Sequence, residues 1–82
     1  MNKIVYQLKA LKQLRKIPDN KVIRNKVDEL CNMPSCINIK ALRNHEYQYR
    51  LRFGNNRVFF NFDGIVRIVS IEEVKKRDER TY

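Results

Sequence analysis

Several features that define common protein classes are scarce in this chain of 82 residues. Tryptophan is absent, glycine and proline occur twice each, and no repeat or low-complexity tract is present. The apolar runs are far shorter than the roughly 20 residues that a membrane-spanning helix requires. The first residues also lack the apolar core of a signal peptide. We therefore expect one domain, residues 1–82, that is cytoplasmic and makes no contact with a membrane.

Metal-binding residue types are also few. The sequence has two cysteines, Cys31 and Cys36, and one histidine, His45. A structural zinc site uses about four Cys or His ligands, and the disulfide framework of a small secreted protein needs more cysteines than these. The sequence therefore predicts free thiols, no metal site and no cofactor.

Acidic residues are outnumbered by basic ones, 9 against 18, which gives a net charge of +9. This excess favours a polyanionic partner, either a nucleic acid or an acidic protein segment, and a solvated basic surface is the alternative. Residues 1–40 hold two arginines among nine basic residues, whereas residues 41–82 hold seven among nine. Because the planar arginine fork suits bidentate phosphate recognition, we expect the functional surface in the second half.

The first half of the chain predicts a helical hairpin. The apolar residues of the first helix recur at three-residue spacing and predict an amphipathic face: Leu8, Leu11, Leu14. Pro18 ends this helix, since the residue before a proline avoids helical geometry. A second helix, capped by Asp19 or Asn20 and running to about residue 32, has its apolar residues on one face: Ile23, Val27, Leu30.

From residue 47 the apolar period changes to two, which predicts a strand over 47–53 with one buried and one solvated face. The turn residues Gly54, Asn55 and Asn56 follow, and then strands over 57–62 and 66–71. With Asn55 and Asn56 as the loop, Phe53 faces Val58, so the apolar sets of both strands share one side. Leu51 then faces Phe60. The other side collects Arg50, Arg52, Arg57, Phe59 and Asn61, and the residues expected in the core are Tyr47, Tyr49, Phe53, Phe60 and Phe62.

With Lys3–Tyr6 as a first strand, the predicted order is β-α-α-β-β-β. The fold class is α+β, a two-helix hairpin packed on a mostly antiparallel four-stranded sheet, with the arginine face left open. A three-residue turn or a bulge at Gly64 adds Arg67 to that face, whereas a two-residue turn would bury its charge at a cost. Cations beside an aromatic ring suit single-stranded RNA, whose bases stack while its phosphates are neutralised.

Three segments together resemble the core signature of RelE/ParE-type toxins: Leu42 with Arg43, then 49–54 (YRLRFG), then 57–60 (RVFF). The ending, 75–82 (KKRDERTY), resembles the basic C-terminus with a final tyrosine of RelE members. The resemblance covers nearly the whole chain. It implies the RelE-like fold and the toxin of a toxin–antitoxin system, an endoribonuclease that cuts mRNA in the ribosomal A site. It also implies a cognate antitoxin protein as partner, in a toxin–antitoxin hetero-oligomer.

The resemblance assigns catalytic roles in the strands. Arg50 and Arg52 stand where RelE carries lysines, and Arg57 matches the arginine that stabilises the phosphate. In this reaction the substrate 2′-hydroxyl attacks the adjacent phosphate, so preorganised positive charge supplies a large share of the rate. We expect Arg52 and Arg57 to supply that charge.

The C-terminal matches complete the expected site. Lys76 or Arg77 matches the basic residue linked with protonation of the leaving oxygen, and Tyr82 matches the tyrosine that stacks on or orients the substrate base. Four further residues are expected to contact RNA: Arg43, His45, Arg67, Arg80.

The sequence leaves the general base open. Arginine, with a pKa of about 12.5 or above, is a poor base at neutral pH. Histidine is the residue type that ordinarily titrates near neutrality, so His45 is a candidate, with a solvated loop residue as the alternative. Glu46 and Tyr82 are further candidates.

Two other functions fit the same fold class. ParE-type members resemble RelE in fold but poison DNA gyrase without nuclease chemistry, and a non-catalytic RNA-binding module would use the same basic face. The basic strand positions together with Tyr82 favour the RelE branch.

Overall fold

The structure, a computed structural model, describes residues 2–33 and 38–76. Its elements in chain order are β1 (Lys3–Tyr6), α1 (Leu8–Arg15), α2 (Asn20–Asp28), a 3₁₀ turn (Glu29–Asn32), β2 (Ile39–Ala41), β3 (Tyr49–Phe53), β4 (Asn56–Asp63) and β5 (Ile68–Lys76). None of the helices in these two segments is long and apolar enough to cross a membrane.

One sheet contains five strands in the order β1-β5-β4-β3-β2. The β1–β5 pair is parallel and the other pairs are antiparallel. The predicted α+β class and helical hairpin are confirmed. The expected count of four strands is one too low, because β2 is only three residues long and so short a segment shows no alternation that the sequence would reveal.

The helices pack on one face of the sheet. Ala10 and Leu14 of α1 and Ile23 and Val27 of α2 are buried. They meet buried residues of three strands: Leu51, Val58, Phe60, Val69, Ile71, Val74. The prediction for the first helix is wrong at Leu8, which is 65% exposed, since the apolar contacts follow the four-residue spacing of Ala10 and Leu14 instead.

The β3–β4 hairpin keeps the predicted faces with a different register. Leu51 pairs with Val58, and Phe53 pairs with Asn56, so the loop is Gly54 and Asn55. Gly54 has φ +56°, a conformation that glycine adopts without the steric cost of a Cβ. The predicted register is two positions away, and because side chains alternate with period two, Leu51 and Val58 face the core in both.

A β-bulge interrupts β5. Phe60 pairs with Ile71, whereas its neighbour Phe59 pairs with Glu73. Glu72 is therefore the extra residue. The bulge explains why Ile71 and Val74, three positions apart, are both buried. β5 continues through Lys76, beyond the end of the strand predicted over 66–71.

Helix α1 covers the part of β5 that extends past β1. Parallel pairing ends at Tyr6 with Ile71. Beyond it, the backbone N–H of Val74 donates to the side-chain Oε1 of Gln13, at 2.6 Å. Gln13 therefore replaces the strand partner that Val74 lacks on that side.

Candidate nucleic-acid interface

The register places three cations side by side on the outer sheet face. Arg52 of β3 pairs with Arg57 of β4, which pairs with Lys75 of β5. Paired residues project to the same face, and adjacent strands lie about 4.8 Å apart. We call Arg52, Arg57 and Lys75 the cationic row. Since like charges in neighbouring strands repel, this row favours binding of an anion.

The next row along the strands begins basic and ends acidic. Lys40 pairs with Arg50, Arg50 with Phe59, and Phe59 with Glu73. Arg50 is half-buried and Lys40 is exposed. Positive charge therefore continues from the cationic row toward the β2 edge of the sheet.

An aromatic cluster lies on the same face. The His45 ring stacks on Phe59, with 5.3 Å between centroids and 10° between planes. Tyr47 is tilted against both rings at 5.7 Å. His45 is exposed, whereas Phe59 is only 8% exposed, so the outer side of the imidazole is the accessible surface. A flat ring beside cations is suited to stacking of a nucleobase.

The His45 ring is oriented by the backbone. Its Nδ1 accepts a hydrogen bond from the N–H of Tyr47 at 3.1 Å. In a neutral imidazole, one nitrogen accepts and the other donates. The lone pair on Nδ1 is engaged by the N–H of Tyr47, so His45 presents a donor at Nε2 in this arrangement.

Glu73 is a buried carboxylate between the aromatic cluster and the cationic row, and is 6% exposed. The Nζ atoms of Lys9 and Lys75 each lie 3.5 Å from its Oε1, and the Tyr47 hydroxyl donates to it. Burial raises the pKa of Glu73, but the hydrogen bond from Tyr47 and the charges of Lys75 and Lys9 outweigh it, so the pKa is lowered. Glu73 is thus ionised at neutral pH and is a weak base.

Tyr47 responds in the opposite sense. Burial, followed by its hydrogen bond to Glu73 and the negative charge of that carboxylate, raises the pKa of Tyr47 to about 12. The hydroxyl therefore stays protonated at neutral pH. The pair holds the cluster in place without titrating near neutrality.

No family model matches the sequence, and no significant match is found among curated proteins. Solved structures do match. The isolated E. coli RelE toxin has a TM-score of 0.79 at 18% identity, over 96% of this chain and 87% of that chain. The archaeal RelE–RelB complex from Pyrococcus horikoshii gives 0.77 at 19%, over 95% and 97%. The RelBE2 toxin–antitoxin complex from Mycobacterium tuberculosis gives 0.73 at 23%, over 93% and 98%.

The chain has the RelE fold. The match covers nearly all of this chain and most of the E. coli toxin, so the RelE-like architecture expected from the sequence is confirmed. At these identities, the likeness concerns the backbone, and the side chains on the outer face must be assessed by their own geometry.

On this RelE fold, the predicted strand arginines come together. Arg50, Arg52 and Arg57 share the outer face. Lys76 pairs with Asn56 and is one position out of phase with the cationic row, because successive strand residues point to opposite faces. Lys75, which the sequence prediction did not single out, occupies the row instead.

Three predicted site residues, Arg77, Arg80 and Tyr82, lie outside the described residues. Arg43 is exposed in the loop between β2 and β3, together with His45. Contact of Arg43 and His45 with RNA stays a prediction.

Contrary to the prediction, Arg67 does not lie on the basic face. It lies in the turn over 64–67 with φ 56°, at the end of the β4–β5 pair that is opposite Arg57. Asp63 is six positions from Arg57 along β4, or about 20 Å. The side chain of Asp63 accepts hydrogen bonds from the N–H groups of Ile65 and Val66, which specifies this four-residue turn.

The sequence prediction also missed two features of the face. Tyr47 was expected in the core by alternation, but β3 begins only at Tyr49, so the period does not extend to it. Glu73 lies beyond the strand predicted over 66–71 and was assigned no role. The signal for its position was the odd spacing of Ile71 and Val74, which requires a bulge if both are to be buried.

Proposed function

We propose that this protein is the toxin of a toxin–antitoxin pair and an endoribonuclease that cleaves mRNA in the ribosomal A site. The observation that carries the proposal is the cationic row on a RelE fold. Several solved structures with this fold are complexes of a toxin with its antitoxin. A cognate antitoxin is accordingly the proposed protein partner.

In the proposed reaction, the 2′-hydroxyl of the RNA attacks the adjacent phosphate, and the bond to the 5′-oxygen of the next nucleotide breaks. Arg52 and Arg57 stabilise the extra negative charge on the phosphate in the transition state. The accessible side of His45 stacks on a neighbouring base. Holding the RNA with its hydroxyl in line supplies much of the remaining acceleration.

The geometry bears on the choice of base. His45 presents an N–H at Nε2, so we assign it to hydrogen bonding with the RNA and not to proton removal. Glu73 is buried and forms ion pairs with Lys9 and Lys75, which weakens it as a base. Glu46 is an exposed carboxylate in the same loop as His45, but it lines a cavity with Asp63 and Gly64 at the end of β4 away from Arg57. Its role as the base is tested by loss of cleavage in Glu46→Gln.

The decisive experiment is induction in bacteria with mapping of mRNA 5′ ends by primer extension. We expect new ends within coding regions, in register with codons. Arg57→Ala should reduce cleavage by about 10²–10³-fold, while the exposed helical variant Lys21→Ala should cleave like the wild type. Growth arrest with intact messages would refute the nuclease, and DNA breaks in the same cells would indicate a gyrase poison.

A further inference from the structure

An open cavity of about 480 Å³ lies at the β2 edge of the sheet, where α2 approaches β3. Four of the residues that line it are cations: Lys26, Lys40, Arg50 and Arg52. No carboxylate lines the cavity in the part of the chain that the structure describes. Its electrostatic potential therefore favours an anion.

The side chain of Arg50 has an unpartnered polar atom. Its Nε is buried and has no hydrogen-bond partner among residues 2–33 and 38–76. Buried donors in native proteins are nearly always satisfied, and an orphaned donor on a charged group is unfavourable. Arg50 also lines the cavity, and its planar guanidinium suits two oxygens of one phosphate.

Lys26 is held close to this cavity before any ligand binds. Its Nζ lies 3.2 Å from Glu29 and 5.6 Å from the centre of the Phe53 ring. Phe53 itself lines the cavity. The lysine therefore loses little side-chain freedom when an anion arrives.

The cavity is continuous with the cationic row. Arg52 belongs to both, and Arg57 is its partner on the neighbouring strand. An RNA backbone with one phosphate at Arg52 and Arg57 can therefore reach the cavity with another. We infer that Lys26, Lys40 and Arg50 form a second phosphate subsite, which binds an RNA phosphodiester beyond the one at the cationic row. This inference rests on the proposed function for the identity of the ligand.

The test uses the full chain and a short oligoribonucleotide with 2′-O-methyl groups, which cannot be cleaved by attack of the 2′-hydroxyl. Binding is measured at several salt concentrations for the wild type, Lys26→Ala and Lys40→Ala. Each lost contact with a single-stranded phosphate should reduce the slope of log affinity against log salt by about 0.7. Lys21→Ala, an exposed lysine of α2 that does not line the cavity, is the matched control and should keep the wild-type slope.

A second readout follows the guanidinium of Arg50. Titration with inorganic phosphate should shift the NMR resonance of the Arg50 Nε–H saturably in the wild type. The shift should weaken in Lys26→Ala and Lys40→Ala and persist in Lys21→Ala. A chemical shift that does not change when phosphate is added would contradict the subsite.

The outcomes separate this inference from the proposed function. If the wild type cleaves mRNA but both cavity variants keep the wild-type salt slope, the second subsite is wrong and the nuclease stands. If the slopes fall as expected and no mRNA is cleaved, the subsite stands and the nuclease fails. If Lys40→Ala weakens binding of polyglutamate and leaves RNA binding unchanged, the cavity takes an acidic peptide and the inference is wrong.

Discussion

Glu73 provides a quantitative test of the outer face. Replacing it by glutamine removes the charge but nearly preserves the shape. A hydrogen bond to a charged group contributes about 1.5–3 kcal/mol, and each exposed lysine partner adds about 0.2–1 kcal/mol. Part of this is offset by the desolvation of a carboxylate that is 6% exposed. We therefore expect Glu73→Gln to lose about 1–2 kcal/mol at neutral pH, which lowers Tm by roughly 5–15 °C in a domain of this size.

The stabilisation that Glu73 provides should depend on pH. The pKa of Glu73 is lowered from 4.5 in the folded protein. Its stabilisation is therefore present above pH 4.5 and is lost as the pH falls through the lower, folded value. In thermal unfolding followed by circular dichroism, the difference between the wild type and Glu73→Gln should shrink toward zero in acid.

Glu46→Gln is the control for this measurement, because Glu46 is exposed and its removal should change Tm little at any pH. A Tm difference for Glu73→Gln that is constant from neutral to acid pH would refute the reasoning. A variant more stable than the wild type at neutral pH would show that desolvation of the carboxylate outweighs its three partners.

Three further predictions concern packing and titration. Phe60→Ala should lower the free energy of unfolding by about 3–5 kcal/mol, because Phe60 is fully buried; chemical denaturation measures this, and a loss below 1 kcal/mol would contradict it. Gln13→Ala should speed hydrogen exchange at the Val74 amide, whereas Gln7→Ala should not, and equal exchange would exclude the bond seen at 2.6 Å. Tyr47 should ionise near pH 12 and at a lower pH in Glu73→Gln, as followed by tyrosinate absorbance; the same midpoint in both proteins would contradict the contact.

The faces of β3 and β4 were predictable from sequence because alternation depends only on parity. Leu51 and Val58 face the core in the observed register and in any register that differs from it by an even number of residues. The turn residue and the register were not predictable, since Gly54, Asn55 and Asn56 all tolerate turn geometry. The structure resolves this with Gly54 at positive φ.

The candidate site was predictable where charge follows alternation and unpredictable where the backbone breaks it. Arg50, Arg52 and Arg57 were found by alternation alone. Lys75 was missed because Lys76 was chosen by its match to the C-terminal basic residue of RelE members, whereas the bulge at Glu72 sets which lysine of β5 joins the row. A periodic pattern contains no direct record of such a break.

The bulge has a consequence for insertions and deletions. Glu72 and Glu73 are adjacent and identical in type, so loss of either one leaves the same chain. That chain forms a regular strand in which Ile71 and Val74 still face inward and the remaining glutamate still pairs with Phe59. Loss of Val74 instead exchanges the faces of Lys75 and Lys76. Deletion of one residue should therefore be tolerated at the glutamate pair, whereas deletion of Val74 should be disruptive, because it moves Lys75 into the buried position opposite Val58 and buries a charge.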